Sequence, residues 1–460
     1  MAGNSSVRFR SLCRAPEIGS NSYQLSFGEL NFVLDTGMHP KQEGLNAIPR
    51  YDLLDHDSVD AIFVTHAHLD HLGTLPVLQR DQPHSRVYMT PEVVDLADAM
   101  LHNSVNVMMS QRSELGIDAY PLFTHNEIED FGIVWQGRDY RKPFEPVWDS
   151  GIKATFRDAG HVMGSAGILF EGLDKKVFYT GDVQFNNQTL IQGADFDDLP
   201  PLDALIIETT RGNSPHLPGF SRIEQEQRLI EDLNRTLDRN GTVLIPVFAM
   251  GKTQEVLTMI QNAKESGALH DVPVTIGGLS TKMTVIYDRY SNSPNRSRPD
   301  FKILRDMDLN AGTRRRGRPI PIKSKPRAIF ALSSGMMSEN TVSNNFARPL
   351  LSNPNNSIHF VGYSDPSTPA YRVRNATRGE KVCLDERLPK VPLECNIYEY
   401  DFSGHADRED LLQFILKTNP KQAFLVHGDP QASQWFKEQL QSQAPHIEVH
   451  IPAPKVEFVL

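Results

Sequence analysis

Cysteine is scarce in this 460-residue chain: Cys13, Cys383 and Cys395 are the only three. None belongs to a C-x-x-C pair, which removes both a disulfide framework and a thiolate zinc site from consideration. Any metal must therefore be held by nitrogen and oxygen. Long apolar runs are missing too, and no stretch approaches the roughly 18 residues that span a bilayer, so no membrane partner is expected. The opening MAGNSSVRFRSLCRAPEIGSNSYQ lacks the basic-then-apolar order of a secretory signal, which points to a cytoplasmic protein. An excess of positive charge is also absent. The formal net charge of −10 argues against an indiscriminate nucleic-acid binder. It does not exclude a pocket of carboxylates whose local sign is reversed by bound cations.

What remains is the composition of an ordinary globular chain, long enough for two or three domains. The first third reads as strands with short turns: a hairpin in SYQLSFGELNFVLDTG, then DAIFVTH, RVYMTP, IKATFRDAGH, AGILFEG, KKVFYTGD and LDALIIETT. A long helix with proline in its first turn, PEVVDLADAMLHNSVNVMMSQRSELG, interrupts them; its NVMMSQ segment is read as helix core. After Thr210 the pattern changes to helix–strand alternation, the signature of a parallel α/β unit, placed at 209–397. The last segment, from CNIYEYDFSGHAD onward, returns to the first style.

Chemistry concentrates in AIFVTHAHLDHLG, residues 61–73, where His66, His68, Asp70 and His71 crowd the end of an apolar strand. Alternation on an extended loop turns His66 and His68 the same way, toward one metal. Asp70 and His71 sit where a helix begins and can turn toward a second. Imidazole and carboxylate donors suit zinc, with manganese an alternative. Further ligands stand at other strand ends: His161 in RDAGHVMGSAG, Asp182 in VFYTGDVQF and His427 in AFLVHGD. Asp35 in FVLDTG is better placed to orient a ligand than to bind metal.

In this order, Asp35, the His66–His71 motif, His161 and Asp182 resemble the signature of the metallo-β-lactamase superfamily. IIETT with Glu208, FSGHAD with His405 and LVHGD with His427 resemble the three extra motifs of its β-CASP branch. That branch consists of nucleases, among them bacterial and archaeal RNA-processing enzymes and the nuclease subunit of the eukaryotic pre-mRNA 3′-end cleavage complex. The resemblance covers essentially the whole chain. It implies an α/β architecture: an αββα sandwich from residues 1–208 and 398–460, with a β-CASP α/β domain, 209–397, inserted. It also implies one zinc on His66, His68 and His161, another on Asp70, His71 and His427, and Asp182 bridging them. Asp70, Glu208 and His405 are the implied catalytic residues, with His405, oriented by Glu208, giving a proton to the leaving oxygen of a phosphodiester. His427, where DNA-repair members carry valine, favours single-stranded RNA as the partner. Cleavage is expected to be endonucleolytic, with exonuclease activity and a homodimer left open.

Two stretches depart from many bacterial relatives in being poorer in glycine: SGMMSENTVSN and GYSDPSTPAYRV. Ser334 and Gly335 in the first are candidates to approach substrate phosphate. Lys252 in MGKTQ is a third candidate, although Pro246 replaces the glycine that a phosphate-binding P-loop requires. RRRGRPIPIKSKPR, residues 314–327, is read as a surface loop, with a nucleic-acid-gripping edge as the sharper alternative. Competing functions are a DNA nuclease of the same branch, a small-molecule hydrolase of the wider superfamily and a non-catalytic RNA-binding subunit. The large insert weighs against the small-molecule reading, and the full ligand set against the non-catalytic one.

Overall fold

The computed structural model describes residues 6–311, 314–315, 318–319 and 323–460. Of the basic stretch 314–327, residues 316–317 and 320–322 lie outside the described residues. Two compact units emerge: Met1–Asn187 with Gln192–Pro215 and His405–Leu460, and Gln188–Ile191 with His216–Gly404. No described helix is long and apolar enough to cross a membrane.

The first unit contains two sheets. One runs in the order Glu457–Val459, Val7–Ser11, Tyr23–Phe27, Leu30–Leu34, Ala61–Phe63, Arg86–Met89, Trp135–Gly137. The other runs Glu448–His450, Gln422–Val426, Ala204–Glu208, Lys175–Tyr179, Ala166–Gly172, Lys153–Asp158. Period-two alternation sends Phe9, Leu25, Phe32 and Phe63 of the first sheet against Phe156, Ile168, Phe170, Ile206 and Phe424 of the second, in one buried cluster. The opposite residues of the second sheet, Leu205, Ile207 and Leu425, pack on Leu411, Phe436 and Leu440 of helices Arg408–Thr418 and Pro430–Gln443. Helix Pro91–Leu115 packs beside strand Trp135–Gly137 of the first sheet. It starts on proline after a Thr90 cap and stops at left-handed Gly116, as its sequence signals require. In its NVMMSQ segment Met108 is buried but Met109 is exposed.

The second unit is built on a six-stranded parallel sheet, ordered Leu309–Ala311, Val274–Gly277, Ala328–Leu332, Thr242–Pro246, Ser357–Phe360, Asn396–Glu399. Both faces are covered. Val243, Ile245, Ile276 and Ile329 meet Leu233, Val256 and Ile260 on one side, while Leu244, Phe330 and Ile358 meet Phe346 and Leu350 on the other. One strand departs from the sequence reading. Asn396–Glu399, taken as opening the last segment, pairs in register with Ser357–Phe360 and closes this second sheet. Its edge position leaves it half-exposed, which blurred the alternation that would have assigned it.

Beneath that sheet edge runs a buried polar chain. Tyr400 Oη donates to Asp232 Oδ2 at 2.8 Å and lies 3.1 Å from His359 Nδ1. His359 Nε2 is 2.7 Å from Ser357 Oγ. Because the tyrosine proton is committed to Asp232, Nδ1 donates; burial keeps the ring neutral, so Nε2 accepts from Ser357 Oγ. Burial pushes the His359 pKa down to about 3, with the Arg239 charge adding to it. Since the unfolded chain takes up this proton near 6.5, the contribution is complete above pH 6.5 and is lost as pH falls toward 3. Denaturant unfolding of the second unit at pH 7 and 4.5 should therefore differ by about 2–3 kcal/mol from this group alone. His359→Gln should remove that component.

Candidate metal centre

Strand direction assembles the site. Lys153–Asp158, Lys175–Tyr179, Ala204–Glu208 and Gln422–Val426 all run the same way in the second sheet, so His161, Asp182, Glu208 and His427 arrive at one edge. In the first sheet, Leu30–Leu34 and Ala61–Phe63 run parallel and deliver Asp35 and the His66–His71 turn. Backbone contacts lock the two edges together, with Ala166 N donating to Thr65 O at 2.9 Å. Gly37 permits the tightest approach: a Cβ there would lie 1.9 Å from Asp70 O. Gly160, at φ +65°, does the same beside His161, where a Cβ would meet Gln184 O at 2.4 Å.

Besides Asp182, Glu208 and His427, which also lie close enough to share a cation, two donor sets result. His66, His68, His161 and Asp182 form one, and Asp70, His71 and His427 another, each with ligand atoms within 4.8 Å of one another. In the first, His66 Nε2 and His161 Nε2 lie 3.1 and 3.2 Å from His68 Nδ1, and 3.5 and 3.7 Å from Asp182 Oδ2. A tetrahedral zinc with bonds of about 2.0–2.2 Å requires ligand–ligand edges of about 3.3–3.6 Å. The observed edges bracket that value. In the second, Asp70 Oδ2 is 3.3 Å from His427 Nε2 and 3.9 Å from His71 Nε2. Asp182 turns its other oxygen here, 3.3 Å from His71 Nε2 and 2.9 Å from His427 Nδ1. That Oδ1 is buried without a well-formed hydrogen bond although two imidazole nitrogens face it. The arrangement fits a cation better than a proton.

Charge divides the two sets. Burial drives the His66 pKa far down and lowers that of His68, leaving both as neutral rings ready to ligate. Burial acts the same way on His71 and His427, but Asp182 with Asp35, and Asp182 with Asp70, reverse it; His427 is pushed up to about 10. Asp182 itself is raised by burial yet held well below the usual carboxylate range by His427, His71 and His405. Cation binding at the second set therefore competes with protons on His71 and His427.

Asp35 contacts His71 and belongs to neither donor set. It adopts φ +58°, and its carboxylate accepts from Thr65 N at 2.7 Å, from Tyr179 Oη at 2.6 Å and from His71 Nδ1 at 2.8 Å. This fixes the His71 ring with Nε2 toward Asp182. Glu208, the last residue of its strand, accepts from Val183 N at 2.6 Å through Oε1 and lies 3.0 Å from His405 Nδ1 through Oε2. Burial lowers the His405 pKa, but the Glu208 and Asp182 charges outweigh it and hold it above the ordinary value.

The phosphate candidates belong to the second unit. Lys252 Nζ donates to the Phe402 carbonyl, and burial lowers its pKa to about 8. Its ammonium is thus engaged within the chain. Ser334 Oγ accepts from Ser338 N at 3.2 Å, and Gly335 packs against Phe248. Sequence reasoning missed Thr65, Tyr179, Asn21 and Thr210. Asn21 Nδ2 is 3.0 Å from Asp70 O, and Thr210 Oγ1 is 3.0 Å from His427 Nδ1. These residue types are common in cores and turns; only Thr65 and Thr210, beside motif residues, carried a positional signal.

Comparison with known proteins accords with this arrangement. Residues 15–214 match the metallo-β-lactamase superfamily, 253–373 the Beta-Casp domain and 390–452 the Zn-dependent metallo-hydrolase RNA specificity domain. The RNase J-like protein of Methanocaldococcus jannaschii is 30% identical over 432 residues, covering 94% of each chain. Endoribonuclease YSH1 of Yarrowia lipolytica is 30% identical over 435 residues, 92% of this chain, which spans only half of that relative's length. Transcription termination factor FttA of Pyrococcus abyssi is 29% identical over 450 residues, 92% of this chain and 67% of the relative. A crystal structure of an Enterococcus faecalis protein of unknown function shares the fold, with a TM-score of 0.60 at 14% identity over 99% of this chain and all of the other. Fold, ordered motifs and relatives agree that the chain belongs to the β-CASP branch of the metallo-β-lactamase superfamily.

Proposed function

We propose that this protein is a cytoplasmic, zinc-dependent ribonuclease that hydrolyses single-stranded RNA, chiefly by internal cleavage. The observation that carries this reading is the convergence of seven donor side chains on two sets, with Asp182 turning one oxygen toward each, beside a His405–Glu208 pair. In this reading His66, His68 and His161 hold one zinc, Asp70, His71 and His427 the other, and Asp182 serves both. Two cations held there would lower the pKa of a water and offset the negative charge of the scissile phosphate. The remaining work falls to the chain. His405 donates its Nδ1 proton to Glu208, so Nε2 is the ring atom that can hand a proton to the departing O3′. The Glu208 carboxylate favours the protonated form of that ring. RNA is favoured over DNA by His427, by the match to an RNA specificity domain and by relatives named as ribonucleases.

End-labelled single-stranded RNA and DNA of one sequence, incubated with and without a chelator, test the proposal. RNA should be cut internally to 5′-phosphate ends, and both chelation and the Asp182→Ala, His427→Ala variant should abolish cleavage. Cleavage of DNA alone would overturn the substrate assignment. No cleavage of either by protein holding two metals would overturn the nuclease reading for bare nucleic acid. Zinc analysis should return two ions per chain. Asp35→Ala should weaken zinc binding by about 10- to 100-fold. The same substitution should cost about 3 kcal/mol in thermal unfolding, because it leaves His71 Nδ1, Thr65 N and Tyr179 Oη without their shared buried acceptor.

A further inference from the structure

We propose that Gln184 is a positioning residue for His405, holding the proton donor at the distance from Asp182 that hydrolysis requires. This rests on the reading of His405 as the general acid. The argument begins with the dipeptide that follows Asp182. Val183 N donates to Glu208 Oε1 at 2.6 Å, and Val183 O accepts from Ala406 N at 2.7 Å. Gln184 Nε2 donates to the His405 carbonyl at 2.9 Å. The His405 side chain is thus gripped through Glu208, and its backbone is gripped on both sides of its peptide carbonyl. The bonds to Glu208, Ala406 N and the His405 carbonyl all originate in the dipeptide that follows Asp182.

Gln184 is also the junction of the surrounding loops. Its N donates to Ala159 O at 2.9 Å, two residues before His161, and its O accepts from Ala194 N at 2.8 Å. Its Oε1 accepts from Asn186 N at 3.0 Å. With the residue only 6% exposed, water cannot readily replace these bonds. No metal-ligand or proton-transfer requirement explains a buried glutamine here. The need to fix the His405 carbonyl does. A shift of that carbonyl moves the imidazole relative to the scissile bond, and a displacement near 1 Å costs about 100-fold in rate.

The chemistry at stake is one proton. A water oxygen bonds to phosphorus and releases a proton to solvent, the P–O3′ bond breaks, and the departing oxygen takes the proton from His405 Nε2; the ring is then reprotonated from solvent. An alkoxide needs that proton to leave, whereas 4-nitrophenolate leaves without it. The ratio of RNA cleavage to bis(4-nitrophenyl) phosphate hydrolysis therefore reports the position of His405 rather than general damage to the fold. Gln184→Glu preserves size and the acceptor for Asn186 N but removes the donor; Gln184→Met removes both. In the zinc-loaded protein, each should lower that ratio by about 10- to 100-fold through kcat, with KM for RNA and zinc content held. His405→Ala should lower it further. Equal losses on both substrates, a change confined to KM, or no loss would overturn the assignment. If His405→Ala left the ratio unchanged, or the wild-type protein cut the ester but no RNA, the underlying nuclease reading would fail first and take this assignment with it.

Discussion

One carboxylate organises the first unit. Asp182, 2% exposed, has five imidazoles within 4 Å: His66, His71, His161, His405 and His427. An isolated buried carboxylate costs several kcal/mol, so these partners are a condition of its burial. They arrive from both sheets and from widely separated parts of the chain. The packing of Phe32 and Phe63 against Phe170 and Phe156 sets the sheet spacing that lets them meet. Apolar packing positions the edges, and the charge cluster makes that position specific.

The same cluster separates two kinds of histidine. Burial outweighs the nearby carboxylates at His66 and His68 and keeps them neutral, while at His71 and His427 the carboxylates win and keep the rings charged. In the absence of divalent charge, ring protons balance Asp182 and Asp70. Cations that enter must displace those protons, so acidity and metal supply act on the same residues from opposite directions.

Much of this was legible in the chain because the chemistry is dense and local. Three histidines and an aspartate within six residues at a strand end have few structural explanations, and His161, Asp182 and His427 repeat the strand-end placement. Glu208, His405 and Asp35 were legible through their motifs. The supporting residues were not. Tyr179 reads as one more core aromatic in VFY, and its hydroxyl bond to Asp35 spans 144 positions. Gln184 gave no signal because its partner His405 lies 221 residues away. The half-exposed strand Asn396–Glu399 failed for a related reason: its assignment depends on pairing with Ser357–Phe360, which alternation alone does not report.

The great sequence separation within the centre also shapes how the chain comes into being. Asp70 and His427 meet across 357 positions, and strand Gln422–Val426 must pair with Ala204–Glu208 before they can. A chain emerging from the ribosome presents His66 through Asp182 early, then makes the whole second unit before His405 and His427 appear. Such long-range pairing forms slowly and late. Fragments that end inside the second unit carry an incomplete donor set and no His405, so synthesis itself withholds the assembled centre until the last strands arrive.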